Sequence, residues 1–158
     1  VSRPQDQPIP PQDVPLYTTR APVQAVAAGA GWFFLVLGAL GFIPGLVTEY
    51  ELMTFLGENS GARLFGVFLV SVLHNALHLA YGAAGLLLAR RAVGARGFLL
   101  GGGLLYLLLA GYGALVDPAS TANVLPVNAA GNWLHLTFGL VMVALGVVFG
   151  RHLGETAD

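Results

Sequence analysis

A chain of 158 residues has the length of a single domain, but its composition is wrong for water: 56% is hydrophobic and only 9% charged, against about 25% charged in a soluble domain. Seven arginines, no lysine and eight acids leave a net charge of −1, so there is no basic face for nucleic acid. The absence of cysteine excludes disulfides, thiolate zinc sites and thiol catalysis.

The chain opens on a segment, 1–22, that carries six of the nine prolines (Pro4, Pro8, Pro10, Pro11, Pro15 and Pro22) among Gln, Asp and Ser. It has no apolar periodicity and is expected to be a disordered, solvated cytoplasmic tail. Four apolar runs follow. Each reaches the roughly 20 residues that a helix needs to cross the hydrocarbon core. Backbone groups in lipid must bond within their own segment, so the runs are expected to be helices. The predicted spans are about 23–47, 64–89, 97–116 and 128–150. Together they make an all-α, four-helix membrane domain over 23–151, followed by a short cytoplasmic tail, 152–158.

Within the first span, Gly38, Gly41 and Gly45 offer a small face for close helix packing. Pro44 is expected to kink or end that helix. The second and fourth spans each carry Asn-x-x-His-Leu-x-x-Gly: Asn75, His78, Leu79 and Gly82, then Asn132, His135, Leu136 and Gly139. The third span holds Gly101, Gly102 and Gly103, read as packing glycines rather than a phosphate cradle, which needs a helix N-terminus at the water interface. Trp133 suits a headgroup anchor, and Trp32 lies deep enough that packing is expected.

Arginine placement sets the expected direction. Arg3, Arg20, Arg90, Arg91, Arg96 and Arg151 fall on one side of the spans, and Arg63 alone falls on the other, with Glu49, Glu51, Glu58 and Asp117. Both termini are therefore expected in the cytoplasm, with the protein multi-pass in its membrane.

A shift of 57 residues lays the second span on the fourth: Ser71 on Asn128, Asn75 on Asn132, His78 on His135 and Gly82 on Gly139. A shift of 72 pairs Gly29 with Gly101, Gly31 with Gly103 and Gly41 with Gly113. The pattern predicts two repeated helical hairpins about an axis along the membrane normal, with helices 2 and 4 as neighbours. Residues three and four apart share a helix face, so Ser71, Asn75, His78 and Gly82 are expected to form one interior stripe. Asn128, Asn132, His135 and Gly139 form the other. His74 is expected to point about 100° away from the first.

Gly41-Phe42-Ile43-Pro44-Gly45, His74-Asn75-x-x-His78-Leu79 and Asn132-x-Leu134-His135-Leu136 together resemble an uncharacterised bacterial membrane family, domain of unknown function 4383. The resemblance covers Gly29 to about Gly150. It departs at Ser71, where members often have Asn, and at Gly131, where they often have Asp. It implies a four-helix membrane fold and no activity.

Asparagine and histidine are costly within the membrane, which makes Asn75, His78, Asn132 and His135 the candidate site. The favoured reading is a non-enzymatic accessory or assembly protein. In it, Asn75 bonds His135 and Asn132 bonds His78, as pairing that fixes helix register. One alternative is a redox subunit in which His78 and His135 ligate a b-type haem or the same residues bind a quinone. Another is metal or small-solute transport with His74 as a third imidazole. The expected partners are the lipid bilayer and other membrane proteins or further copies of the chain.

Overall fold

The computed structural model describes residues 21–117 and 120–150. The expected N-terminal tail, up to residue 20, and C-terminal tail lie outside the described residues. Four helices make up most of the fold: α1 (Pro22–Leu40), α2 (Val72–Leu88), α3 (Ala92–Leu115) and α4 (Ala129–Gly150). Three of them, α1, α3 and α4, are long and apolar enough to cross a membrane, whereas α2 has 17 residues.

The fold is mostly helical rather than all-α. The first helix ends at Leu40, not near 47, and the second begins at Val72, not 64. The intervening chain builds a small cap around a three-stranded antiparallel sheet: β1 (Val47–Thr48), β2 (Arg63–Leu64) and β3 (Phe68–Leu69). Val47 faces Leu64 across β1 and β2, and Leu64 faces Phe68 across β2 and β3. The run Leu64-Phe-Gly-Val-Phe-Leu-Val is apolar enough for a helix, but it folds back at Phe65 and Gly66, with φ of 54° and 70°. Val67 N–H donates to the Leu64 carbonyl at 3.1 Å, closing a tight turn whose two central residues are both left-handed. Val47, Ala62, Leu64 and Val70 form the cap's own buried core.

Two caps start the helices that descend from this end. Ser71 Oγ accepts from His74 N–H at 3.2 Å, and Asn128 Oδ1 accepts from Gly131 N–H at 2.9 Å. Asn128 also donates from Nδ2 to the Val67 carbonyl at 2.7 Å, and Gly57 N–H donates to the Val124 carbonyl at 2.6 Å, tying the 120–128 segment to the cap. At the opposite end, Gln24 Nε2 donates to the carbonyls of Ala89 (3.1 Å) and Arg90 (2.9 Å), where α2 has run out of helical donors.

Helix α1 packs along α2, and α3 along α4, each pair antiparallel with glycine at the closest approach. A methyl group on Gly31 would stand 3.0 Å from the Gly82 carbonyl oxygen and 2.9 Å from Leu86 N. One on Gly103 would stand 2.9 Å from both the Gly139 carbonyl oxygen and Val143 N. Between the pairs, α1 faces α3 most closely. Helices α2 and α4 are not among the closely packed pairs, contrary to the expectation that they are neighbours. The reason is Phe34 of α1. It is fully buried at the centre, its ring 5.2 Å from Tyr106, 4.9 Å from Tyr81 and 5.7 Å from Phe138, and it fills the middle with aromatic volume. Trp32, expected to pack inside, is 60% exposed on the outer surface of α1, and Trp133 is 69% exposed on α4.

Candidate functional site

Successive residues on an α-helix are about 100° apart, and this angle divides the polar stripe of α2 in two. Asn75 and Gly82 turn toward α1. Asn75 is buried, and its Nδ2 donates to the Gly41 carbonyl at 2.7 Å. That carbonyl lies just past the end of α1, where no helical N–H reaches it. A side chain on Gly41 would collide with the Asn75 amide, so the glycine makes room for the bond. Asn75 therefore does not pair with His135 as expected.

His74, His78 and Tyr81 occupy the neighbouring face, at spacings of four and three. His74 was expected to point away from the site. Instead its ring stands 4.6 Å from that of His78 and 6.1 Å from that of His135 on α4. His135 is 5% exposed and meets Tyr106 of α3 edge-on at 5.4 Å. Three imidazoles and two phenols thus converge from α2, α3 and α4. Sequence alone brought in His74 solely as a third imidazole of the transport alternative, and it did not bring in Tyr81 or Tyr106. The signal that finds His74 and Tyr81 is the i, i+4, i+7 series through His78, which runs beside the asparagine series rather than along it.

These rings line a cavity of about 360 Å³. Its remaining walls are leucine and alanine, and no acidic or basic side chain takes part. Leu77 of α2 and Leu105 of α3, each nearly half exposed, stand at its rim, so the cavity opens sideways between these two helices. A second cavity of about 30 Å³ lies beneath the cap, between Leu64, Pro126 and the same three imidazoles, with room for a water molecule.

Among the described residues, Nδ1 of His74, Nδ1 of His135 and Oδ1 of Asn132 are buried with no hydrogen-bond partner. Each such atom costs about 1–3 kcal/mol, more than a single hydrogen bond contributes. Asn132 lies against Gly113 as Asn75 lies against Gly41, yet its oxygen is unsatisfied. The expected bond from Asn132 to His78 does not account for it. Among the described residues, no group of three or more His, Cys, Asp or Glu is placed to hold a metal ion.

The family model described as a domain of unknown function, DUF4383, matches residues 24–148, nearly all of the four-helix region and the cap. The chain belongs to that family. The imidazole cavity of this DUF4383 protein lies entirely inside the matched region. No curated protein and no solved structure matches the chain.

Proposed function

We propose that this chain is a small multi-pass protein of the bacterial inner membrane with a non-enzymatic accessory role, and that it acts by holding a neutral, lipid-soluble molecule between α2, α3 and α4. One observation carries the reading: two buried imidazole nitrogens without partners, in an apolar cavity whose rim carries exposed leucines. Register-fixing pairs would bond to each other. These do not, which argues for a binding role over a purely structural one. The absence of charge in the lining favours a neutral occupant, because an unpaired charge is prohibitive there.

The test is to purify the protein in mild detergent from its own membranes, extract it with organic solvent and weigh what leaves with it. A stoichiometric small molecule is expected, and it should be lost when Leu109→Trp fills the cavity. A wild-type extract identical to that of Leu109→Trp would overturn the reading. A b-type haem is the second reading, favoured by imidazoles from α2 and α4 meeting in one cavity. At about 360 Å³ the space is near the lower end of ligand pockets, about 300–1,000 Å³, which favours a smaller headgroup. A Soret band that shifts with dithionite would reverse that preference.

The same reading takes the fold as a duplicated hairpin. Its support is the matching of contacts under the two sequence shifts. Ser71 and Asn128 both cap a helix three residues on, Gly31 meets Gly82 as Gly103 meets Gly139, and Asn75 meets Gly41 as Asn132 meets Gly113. The orientation rests on the arginines. With both termini cytoplasmic, a cysteine at Arg91 reacts with a label applied from the cytoplasmic side and one at Glu58 does not. The opposite pattern would invert the topology.

A further inference from the structure

We infer that the molecule held in the lateral cavity is a quinone, its ring lying between the imidazole end and the phenol end and its tail leaving between Leu77 and Leu105. This rests on the lipid-ligand reading above and gives it a chemical class.

Four features of the cavity select that class. The first is flatness: Tyr106, Tyr81 and His78 supply ring faces and edges, the surfaces on which a planar conjugated ring packs best. The second is neutrality, since no charged side chain lines the space and a phosphate or carboxylate head would have no counter-charge. The third is the type of polar atom. A neutral imidazole carries one donor and one acceptor nitrogen, and a change of tautomer exchanges them. The unpartnered Nδ1 atoms of His74 and His135 are buried, and a turn of each ring into the cavity lets them donate to a carbonyl oxygen or accept from the hydroxyl of the reduced ring. The two rings stand 6.1 Å apart, so the cavity has an imidazole from α2 and one from α4 at the same end.

The fourth feature is a polar group at each end: His74 and Tyr81 are seven residues apart on α2, about 10 Å along the axis, and both line the cavity. The present partner of the Tyr81 hydroxyl is Met142 Sδ at 3.9 Å, a weak acceptor that a quinone oxygen displaces. Gly102 keeps that end open to the phenol, because any side chain there would overlap the Tyr81 hydroxyl. The tail needs only an apolar exit, which the exposed leucines at the rim provide.

The experiment has two parts. The organic extract of the full-length protein from its own membranes is assayed for isoprenoid quinone. The delipidated protein is then titrated with a benzoquinone bearing a decyl tail. Wild type should carry a near-stoichiometric quinone and bind the probe saturably. His135→Leu and His74→Leu should each weaken the probe's Kd about tenfold, the loss of one hydrogen bond. His74→Gln, which keeps a donor, should recover most of the loss, and helix content should be unchanged throughout.

Three outcomes count against the inference in distinguishable ways. A different lipid present at one per chain and expelled by Leu109→Trp would overturn the quinone and leave the lipid-ligand reading standing. Probe binding insensitive to both histidine variants would overturn the placement of the ring. No co-purifying molecule and no saturable probe binding would overturn both readings together.

Discussion

The α1–α2 seam and the α3–α4 seam use the same residues at the same places, and they end differently. In the first, Asn75 reaches a carbonyl at the end of α1 and is satisfied at 2.7 Å. In the second, Asn132 faces Gly113 within α3, and its oxygen has no partner. His135, three residues further along, is likewise unpaired at Nδ1. The first seam is closed on itself, while the second keeps polar atoms unspent beside a cavity. Identical motifs therefore do not imply identical roles: one asparagine bonds across its seam, and its counterpart leaves its oxygen without a partner.

The comparison breaks most readily at the glycines. Gly31→Leu and Gly103→Leu each force a side chain against backbone within 3 Å. Both should destabilise by about 1–3 kcal/mol or more, and by similar amounts, since the two contacts are alike. Thermal unfolding in detergent reads this, and a large difference between the two would mean the seams are not equivalent. The asparagines should then part company. Asn75→Ala loses a bond to a buried carbonyl and should cost about 0.6–1.7 kcal/mol, while Asn132→Ala should be close to neutral without ligand. Equal losses would show that Asn132 is bonded after all.

The histidines offer a change of sign. His135→Leu removes an unpartnered buried nitrogen and should stabilise the ligand-free protein by up to about 1 kcal/mol while weakening ligand binding. Loss of stability in that variant would place His135 in a structural bond. The smallest effect belongs to the cap: Phe65→Asn relieves a bulky residue at φ 54° and should stabilise by less than about 1 kcal/mol.

How far the sequence carries can be judged residue by residue. The four apolar runs and the glycines at the helix contacts follow from length, spacing and size, whereas Ser71 and Asn128, expected in the interior stripes, cap α2 and α4 instead. The start of α2 does not follow from them, because Leu64 to Val70 is as apolar as the helix it precedes. Only the left-handed pair Phe65 and Gly66 turns it into strands, and nothing about a phenylalanine announces that conformation. The site was half legible. The histidines were identifiable by their cost in lipid, but the face they share was misassigned by the angle between one residue and the next. The angle of about 100° between Asn75 and His74 set His74 apart from the favoured pairing, yet its ring stands 4.6 Å from that of His78. Tyr81 and Tyr106 carry no polar-stripe signal in the sequence and join the site only through the cavity they line.

The brevity of α2 has a consequence for the membrane itself. Seventeen residues make a rod of about 26 Å, whereas its neighbour across the cavity, α3, has 24 residues and extends about 36 Å. A hydrocarbon layer of about 30 Å cannot match both. Lipid beside α2 must either thin or admit the cap, whose Phe55 and Phe65 are more than half exposed and suited to lie among acyl chains. The mouth of the cavity opens between the short rod and the long one. The leaflet on the cap's side is therefore most disturbed where a molecule dissolved in it would have to enter.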